Sequence, residues 1–339
     1  MAKVVVVGQD GLAAYCKSFC GDLFPSISSF KHFHDDKSEG VIEALKEAEA
    51  VACETSILAG ALKSHDNISS LMPACKFIQV SSAGVNPLLP YWKPDQQFPI
   101  LCRLAGDITT FPTQAKEWAF GHILSHHRRL TELQQFQTQK KWANSQYLQE
   151  FPTFEYSLVG KTLAILGYGD IGSEVAKTAR EGFGMRTIAL VNKIEARISN
   201  DNVTFYAGNQ LELVLEQADY IVSILPSTKQ TAGLLNNDIL SKCKPTAVFL
   251  NMGRGDVISE EQLVKAAQSK WLDKIILDVF QREPLPEDSP LWGEERIIIS
   301  PHVAALTVPS TVAQLFATNL KSFLDGVPYY GVVNTKDQY

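Results

Sequence analysis

Cysteine pairs, a basic excess and long apolar runs are all missing from this chain of 339 residues. The six cysteines, Cys16, Cys20, Cys53, Cys75, Cys102 and Cys243, are scattered without the CxxC spacing of zinc or redox sites. Cys16 and Cys20 are spaced for one helix face rather than a disulfide, and all six read as small buried hydrophobes in a reducing compartment. Lysine and arginine number 31 against 37 aspartates and glutamates, a net charge of −6. Nucleic acid and membrane surfaces are therefore not expected as partners, because both demand a clustered basic surface. No stretch approaches the ~20 apolar residues of a membrane span. The opening MAKVVVVGQDG has too short an apolar run for a signal sequence and suits a first buried strand. The cytoplasm is the expected location. Low-complexity tracts and short internal repeats are also lacking.

What is present is an ordinary globular composition, 45% hydrophobic and 20% charged, at a length that implies two domains. Short apolar runs alternate with helix-period segments, the pattern of parallel βαβ units. Strands are expected over 4–7, 51–53, 77–80, 187–191, 220–225, 248–251, 275–277 and 297–299, and helices over 40–49, 113–130 and 210–217. The helix 113–130 closes with His126, His127, Arg128 and Arg129, read as solvated cations favoured by the helix macrodipole rather than as a metal or phosphate site. Ser259 followed by Gln262 marks a capping box, with Glu260 and Glu261 in the first turn.

The organising stretch is 162–184, TLAILGYGDIGSEVAKTAREGFG. An apolar run meets Gly167, Gly169 and Gly172 at GxGxxG spacing, and Ile171, Val175 and Ala179 then share a helix face. Gly167 serves the turn, Gly169 lets the backbone approach a pyrophosphate, and Gly172 allows close packing of helix on strand. In an open parallel sheet, ligands bind beyond the carboxyl ends of the strands. The residues that follow the strands here are Leu225, Pro226, Ser227 and Thr228, then Asn251, Gly253 and Arg254, then Asp278, then Pro301 and His302. Arginine, carboxylate and histidine converge on one edge. The loop 79–89, with Gly84, either offers consecutive N–H groups to an anion or is a plain strand-to-helix turn.

The stretches SSAGVN, AKEWAFGHIL, LGYGDIGSEVAKTAREGFGM, ADYIVSILPSTKQT, FLNMGRGDVISEEQL, LDVFQREPLP, SPLW and SPHVAA, in this order, resemble the D-isomer-specific 2-hydroxyacid dehydrogenase family along nearly the whole chain. The glyoxylate and hydroxypyruvate reductases are the nearest branch. The resemblance implies an α/β protein of two doubly wound parallel-sheet domains, Rossmann and flavodoxin-like, with the active site in the cleft between them. Residues 1–104 plus 301–339 would form the substrate domain and 105–300 the dinucleotide-binding domain. It implies hydride transfer between a nicotinamide cofactor and a small 2-keto or 2-hydroxy acid, and it assigns no metal. Arg254 matches the arginine that holds the substrate carboxylate and keto oxygen, a bidentate task suited to a planar guanidinium. His302 matches the acid/base and Glu283 its carboxylate partner. The developing alkoxide needs a proton from a group that titrates near neutrality, and a neighbouring carboxylate favours the imidazolium. Ala83, Gly84 and Val85 resemble the family's main-chain cradle for the substrate carboxylate. Cofactor contacts are implied for Tyr168, Gly169, Asp170 and Ile171 at the pyrophosphate. Leu225, Pro226 and Thr231 follow along the ribose, and Met252, Asp278 and Ala304 surround the nicotinamide.

The end of strand 187–191 bears on the choice between NAD and NADP. An NAD enzyme usually carries Asp or Glu there to hold the ribose hydroxyls. This chain has Val191, Asn192 and Lys193, with Arg197 beyond, which favours NADP over NAD. A homodimer is the family expectation, and Trp142 is a candidate to line a partner's pocket or else a core or surface tryptophan. Two rival readings remain: a dinucleotide-sensing corepressor of the same fold, and a phosphoglycerate-type NAD dehydrogenase without its C-terminal regulatory domain. Formate dehydrogenase is disfavoured because Glu283 stands where that branch carries glutamine.

Overall fold

Four successive valines make β1 (Ala2–Val7), in which every residue but Lys3 is buried. Burial on both faces is what a parallel strand between two helical layers requires. The computed structural model describes residues 2–92, 99–106, 110–142, 157–192, 194 and 202–334. They fall into two units, Met1–Phe111 with Leu306–Tyr339, and Pro112–Ala305. The first unit continues through α1 (Asp10–Phe19), β2 (Ile27–Phe33), α2 (Val41–Glu47), β3 (Ala50–Cys53), α3 (Thr55–Leu62), α4 (Ile68–Leu71), β4 (Phe77–Val80) and β5 (Ile100–Cys102). Its five strands are parallel in the order β2-β1-β3-β4-β5, the flavodoxin-like arrangement. Alternate residues of one strand feed opposite cores: Val5 and Val7 pack with Leu58 and Ile78, Val4 and Val6 with Phe77 and Phe316.

The second unit holds α5 (Phe111–His127), α6 (Leu130–Thr138), β6 (Thr162–Leu166), α7 (Asp170–Phe183), β7 (Arg186–Val191), β8 (Thr204–Ala207), α8 (Leu211–Gln217), β9 (Tyr220–Ser223), β10 (Val248–Asn251), α9 (Glu260–Gln268), β11 (Lys274–Leu277) and β12 (Ile297–Ile299). Its seven parallel strands run β12-β11-β10-β9-β6-β7-β8. The chain winds outward from β6 to β8, then restarts at β9 on the other side of β6. That reversal is the switch point of a Rossmann sheet, and the loops after β6 and β9 flank it.

The chain then returns to the first unit as α10 (Pro309–Asp325). Phe316 and Phe323 of this helix lie 5.7 and 6.0 Å from the ring of Phe77. Two buried amides fasten it further. Asn319 Nδ2 donates to Gln79 Oε1 at 2.9 Å, and Asn319 Oδ1 accepts from the Tyr330 N–H at 2.8 Å. The unit boundaries fall after Phe111 and Ala305, where the sequence places them at 104 and 300. Phe111 packs into the first unit's core, and Val303 and Ala304 are tied by their N–H groups to Asp278 of the second. His302 therefore belongs to the second unit.

The strands that the sequence pattern leaves out are β2, β5 and β8. β2 and β8 are edge strands with half-exposed, partly polar faces, ISSFKHF and TFYA, and β5 is three residues long. The helix expected over 113–130 ends at His127. Arg129 takes φ +48° and a second helix begins at Leu130. Of the His126–Arg129 cluster, Arg128 is exposed as expected, but the two histidines are not solvated cations. His126 Nε2 lies 2.8 Å from Asp273 Oδ2, and His127 is buried with Nδ1 3.1 Å from the Tyr220 hydroxyl. The hydrogen bond with His126 holds the Asp273 carboxyl below the usual carboxylate range. Only half of the capping box forms. Ser259 Oγ accepts from the Gln262 N–H at 3.2 Å, while Gln262 Oε1 accepts from Asp238.

Candidate active site

The chain leaves β6 through Gly167, at φ +97°, a conformation that glycine adopts without strain. A Cβ here would lie 3.0 Å from the Ile224 carbonyl oxygen beyond β9, so the two strand ends of the switch point touch through backbone. At Gly172 a Cβ would lie 2.4 Å from the Gly167 carbonyl oxygen. Gly169 is the N-cap of α7 and has no side chain to cap it; a Cβ there would meet nothing within 4 Å. Space is thus left beside Gly169 at the positive end of a helix, a place that fits a pyrophosphate. Tyr168 is buried edge-on against Phe205 at 4.9 Å. Ile171 is half-buried, and Asp170 is exposed in the first turn.

These two glycines separate folding from binding. Gly172→Ala forces a methyl group against a fixed carbonyl, at a cost of about 1–3 kcal/mol. We expect a lower melting temperature together with weaker NADPH binding. Gly169→Ala should fold with an unchanged melting temperature and lose at least tenfold in NADPH affinity, because its methyl occupies the ligand's space. Calorimetry and a fluorescence titration with NADPH check the pair.

Arg254, Glu283 and His302 follow β10, β11 and β12, three successive strands of the sheet. Their loops are packed backbone to backbone: a Cβ on Gly255 would lie 2.0 Å from the Phe280 carbonyl carbon. Arg254 is aimed by its own turn. Asn251 Oδ1 accepts from the Gly253 N–H at 3.2 Å, Asn251 Nδ2 donates to the Arg254 carbonyl at 3.0 Å, and Arg254 Nη1 donates to the Gly253 carbonyl at 2.6 Å. His302 Nδ1 and Glu283 Oε2 are 2.7 Å apart. Glu283 Oε1 accepts from the Phe280 N–H at 2.9 Å, so the carboxylate is fixed from both sides. His302 itself sits at φ +55°, and its N–H donates to the Asp278 and Ser300 carbonyls. Its side chain is about half exposed (52%), so the ring is reachable.

Asp278 is the carboxylate that directly follows β11. It is buried, and its carboxylate accepts from Ser300 Oγ (2.6 Å), the Val303 N–H (2.9 Å) and the Ala304 N–H (2.9 Å). Its side chain therefore binds the loop that carries His302. Thr231 is likewise turned inward, with Oγ1 accepting from the Thr228 N–H and donating to the Pro226 carbonyl. Leu225 and Ala304 are buried and Pro226 and Met252 half-buried, each at a strand end. Asn192 is exposed after β7, while Lys193 and Arg197 lie outside the described residues. Trp142 is 96% exposed.

In the first unit, the loop after β4 has every carbonyl from Ser81 to Val85 engaged. They accept, in order, from Thr307 Oγ1, the Leu104 N–H, Arg103 Nη1, Ser82 Oγ and the Leu88 N–H. Tying the carbonyls fixes the peptide planes and so the direction of the Ala83, Gly84 and Val85 N–H groups. Arg103 is a residue that sequence reasoning missed; its signal is a lone cation directly after β5. Trp118 is a second. Its Nε1 donates to Ser300 Oγ at 3.1 Å and extends the Asp278 network. His122 stacks edge-on against it at 4.5 Å, and burial lowers the pKa of that imidazole.

A Rossmann sheet with a glycine turn at its switch point defines a dinucleotide-binding protein. The sequence profile described as "D-isomer specific 2-hydroxyacid dehydrogenase, NAD binding domain" matches residues 120–304. A glyoxylate/hydroxypyruvate reductase A from Klebsiella pneumoniae is 32% identical over 273 residues, 78% of this chain and 82% of that protein. Among solved structures, a D-isomer specific 2-hydroxyacid dehydrogenase family protein from Aeromonas salmonicida superposes with a TM-score of 0.80 at 30% identity, covering 99% of this chain and 100% of that one. An NADPH-dependent glyoxylate/hydroxypyruvate reductase from Sinorhizobium meliloti, solved with NADP and sulfate, shares the fold with a TM-score of 0.77 at 23% identity, covering 99% of this chain and 100% of that one. The chain belongs to the D-isomer specific 2-hydroxyacid dehydrogenase family and is an NAD(P)-dependent 2-hydroxyacid dehydrogenase.

Proposed function

We propose that this protein reduces a small 2-keto acid, with glyoxylate and hydroxypyruvate first among candidates, to the D-2-hydroxy acid at the expense of NADPH. The observation that carries the reading is the 2.7 Å contact between His302 Nδ1 and Glu283 Oε2, on strand ends next to that of Arg254. Bound reduced nicotinamide supplies the hydride that adds to the 2-keto carbon. His302 holds a proton on Nε2 and delivers it to the keto oxygen as charge develops there. Glu283 occupies Nδ1, so the other ring nitrogen is left to face the substrate. Arg254 grips the carboxylate and polarises the carbonyl, and its positive charge is worth most in the transition state. The N–H groups of Ala83, Gly84 and Val85 are proposed as further donors to the carboxylate. Asp278 and Trp118 act on the reaction by holding the His302 loop.

NADPH is preferred in this reading because β7 ends in Val191 and Asn192, with no carboxylate at those positions to repel a 2′-phosphate. The Sinorhizobium enzyme solved with NADP supports it, and the relatives named glyoxylate/hydroxypyruvate reductase A support the choice of substrate. The six cysteines are buried and free, which supports a cytoplasmic enzyme, and no helix among the described residues is long and apolar enough to cross a membrane. A homodimer completes the proposal.

The test is the oxidation of NADPH and of NADH across a panel of 2-keto acids. We expect turnover with glyoxylate or hydroxypyruvate and a kcat/KM at least tenfold higher with NADPH than with NADH. Dinucleotide binding without turnover of any acid would sink the reading in favour of a dinucleotide sensor.

A further inference from the structure

Away from the nucleotide-binding unit, three potential metal ligands converge at the carboxyl ends of β1 and β2. His32 lies in β2 and His34 in the bend just past its end, with the two rings on the same side. Asp10 is the first residue of α1, and β1 and β2 are parallel neighbours with Val6 opposite His32. Asp10 Oδ1 lies 3.6 Å from His34 Nε2 and 3.9 Å from His32 Nδ1, and the two rings are 5.0 Å apart. One ligand atom from each residue falls within 4.8 Å of the others. In a tetrahedral zinc site with bonds of about 2.0–2.2 Å, ligand atoms stand about 3.3 Å apart. Small rotations of the exposed Asp10 and His34 side chains close that difference.

The second observation concerns the proton on His32. Its Nε2 is 2.8 Å from the Gly8 carbonyl oxygen, which can only accept, so Nε2 carries the hydrogen. In the neutral ring Nδ1 is then the lone-pair nitrogen, and it is the one turned toward Asp10. A metal-bound histidine is typically oriented in this way, with its other N–H on a backbone carbonyl. The β1–α1 turn that presents Asp10 is itself braced, since Glu54 Oε1 accepts the Gln9 N–H at 2.9 Å. His32 is mostly covered, so one ligand is already in place, while the more exposed His34 and Asp10 can move.

The geometry points to a binding site for one divalent transition-metal ion of the zinc class, held by His32 Nδ1, His34 and Asp10 with the remaining position open to water. Two imidazoles and one carboxylate exclude magnesium and calcium as the preferred ions, because those favour all-oxygen shells. The bound ion would fasten the edge strand β2 to the start of α1. The signal in the sequence is His-x-His at the end of a short strand, which attention to cysteine spacing passes over.

Zinc titrated into EDTA-treated, full-length protein by calorimetry tests the site. We expect one equivalent to bind, His34→Ala to weaken it at least tenfold, and a His32→Ala/His34→Ala double variant to lose that equivalent. Zinc should also raise the melting temperature of the parent by a few degrees and leave that of His34→Ala unmoved. Cobalt bound at the same place should give the visible absorption bands of a low-coordinate nitrogen and oxygen site, absent from the double variant. Basal NADPH oxidation without added metal should be equal in the parent and in His34→Ala. Absence of zinc binding by the parent, or identical stoichiometry and affinity in the parent and the double variant, would overturn the site.

Discussion

His302→Asn is expected to lower kcat for NADPH-dependent glyoxylate reduction by about a thousandfold, close to 4 kcal/mol of transition-state stabilisation. Asparagine is the informative replacement because the residue sits at φ +55°, which asparagine tolerates and alanine does not. The backbone bonds from its N–H to Asp278 and Ser300 survive, and a half-exposed ring contributes little to the core. The melting temperature should therefore hold. NADPH affinity should hold as well, because the turn from Gly167 to Gly172, where we propose the pyrophosphate binds, is untouched. Glu283→Gln keeps a hydrogen-bonding side chain beside Nδ1 and removes the charge, so its loss should be smaller. An asparagine variant with more than a tenth of the parent kcat would show that the proton comes from elsewhere.

The central strands were readable because each is buried on both faces and therefore continuously apolar: Val4 to Val7, Leu163 to Leu166, Ile275 to Leu277; the half-buried edge strand Ile297 to Ile299 was readable as three successive isoleucines. Edge strands β2 and β8 carry water-facing positions, and their residues, such as Ser28 and Thr204, break the apolar run that identifies a strand. The glycine turn was readable for the reason the coordinates display, namely backbone atoms too close for a Cβ at Gly172. Arg254, Glu283 and His302 could be listed as polar residues after strands, but their adjacency needs the spatial order β10-β11-β12. The family resemblance implies Asp278 beside the nicotinamide but says nothing of the network its carboxylate holds. Its partners Ser300, Val303 and Ala304 lie more than twenty residues away and leave no local trace. The same holds for His126, whose partner Asp273 is 147 residues distant; without it, a histidine and arginine run reads as solvated charge. Long-range polar pairing is what a single sequence hides.

Arg254→Lys should cost about a hundredfold or more in kcat/KM although the charge is kept. A guanidinium presents two parallel N–H groups to a carboxylate and can share its fork with the neighbouring carbonyl oxygen, whereas an ammonium is a point charge on a flexible stem. The turn is built for that fork. Asn251 pins the peptides on both sides of the Gly253–Arg254 pair, and Gly253 lets the strand end approach Leu225 so closely that a Cβ would lie 2.7 Å from its nitrogen. A lysine inherits this anchored backbone but loses the Arg254 Nη1 bond to the Gly253 carbonyl, which holds the present side chain on target. Grip on the substrate carboxylate acts in the ground and transition states alike and should appear as a higher KM. Stabilisation of the developing alkoxide exists only in the transition state and should appear as a lower kcat. Both parameters should move in Arg254→Lys, and Arg254→Gln, which also removes the charge, should lower kcat further. Were lysine to raise KM alone, the arginine would be a carboxylate anchor, and the polarisation of the carbonyl would rest on His302.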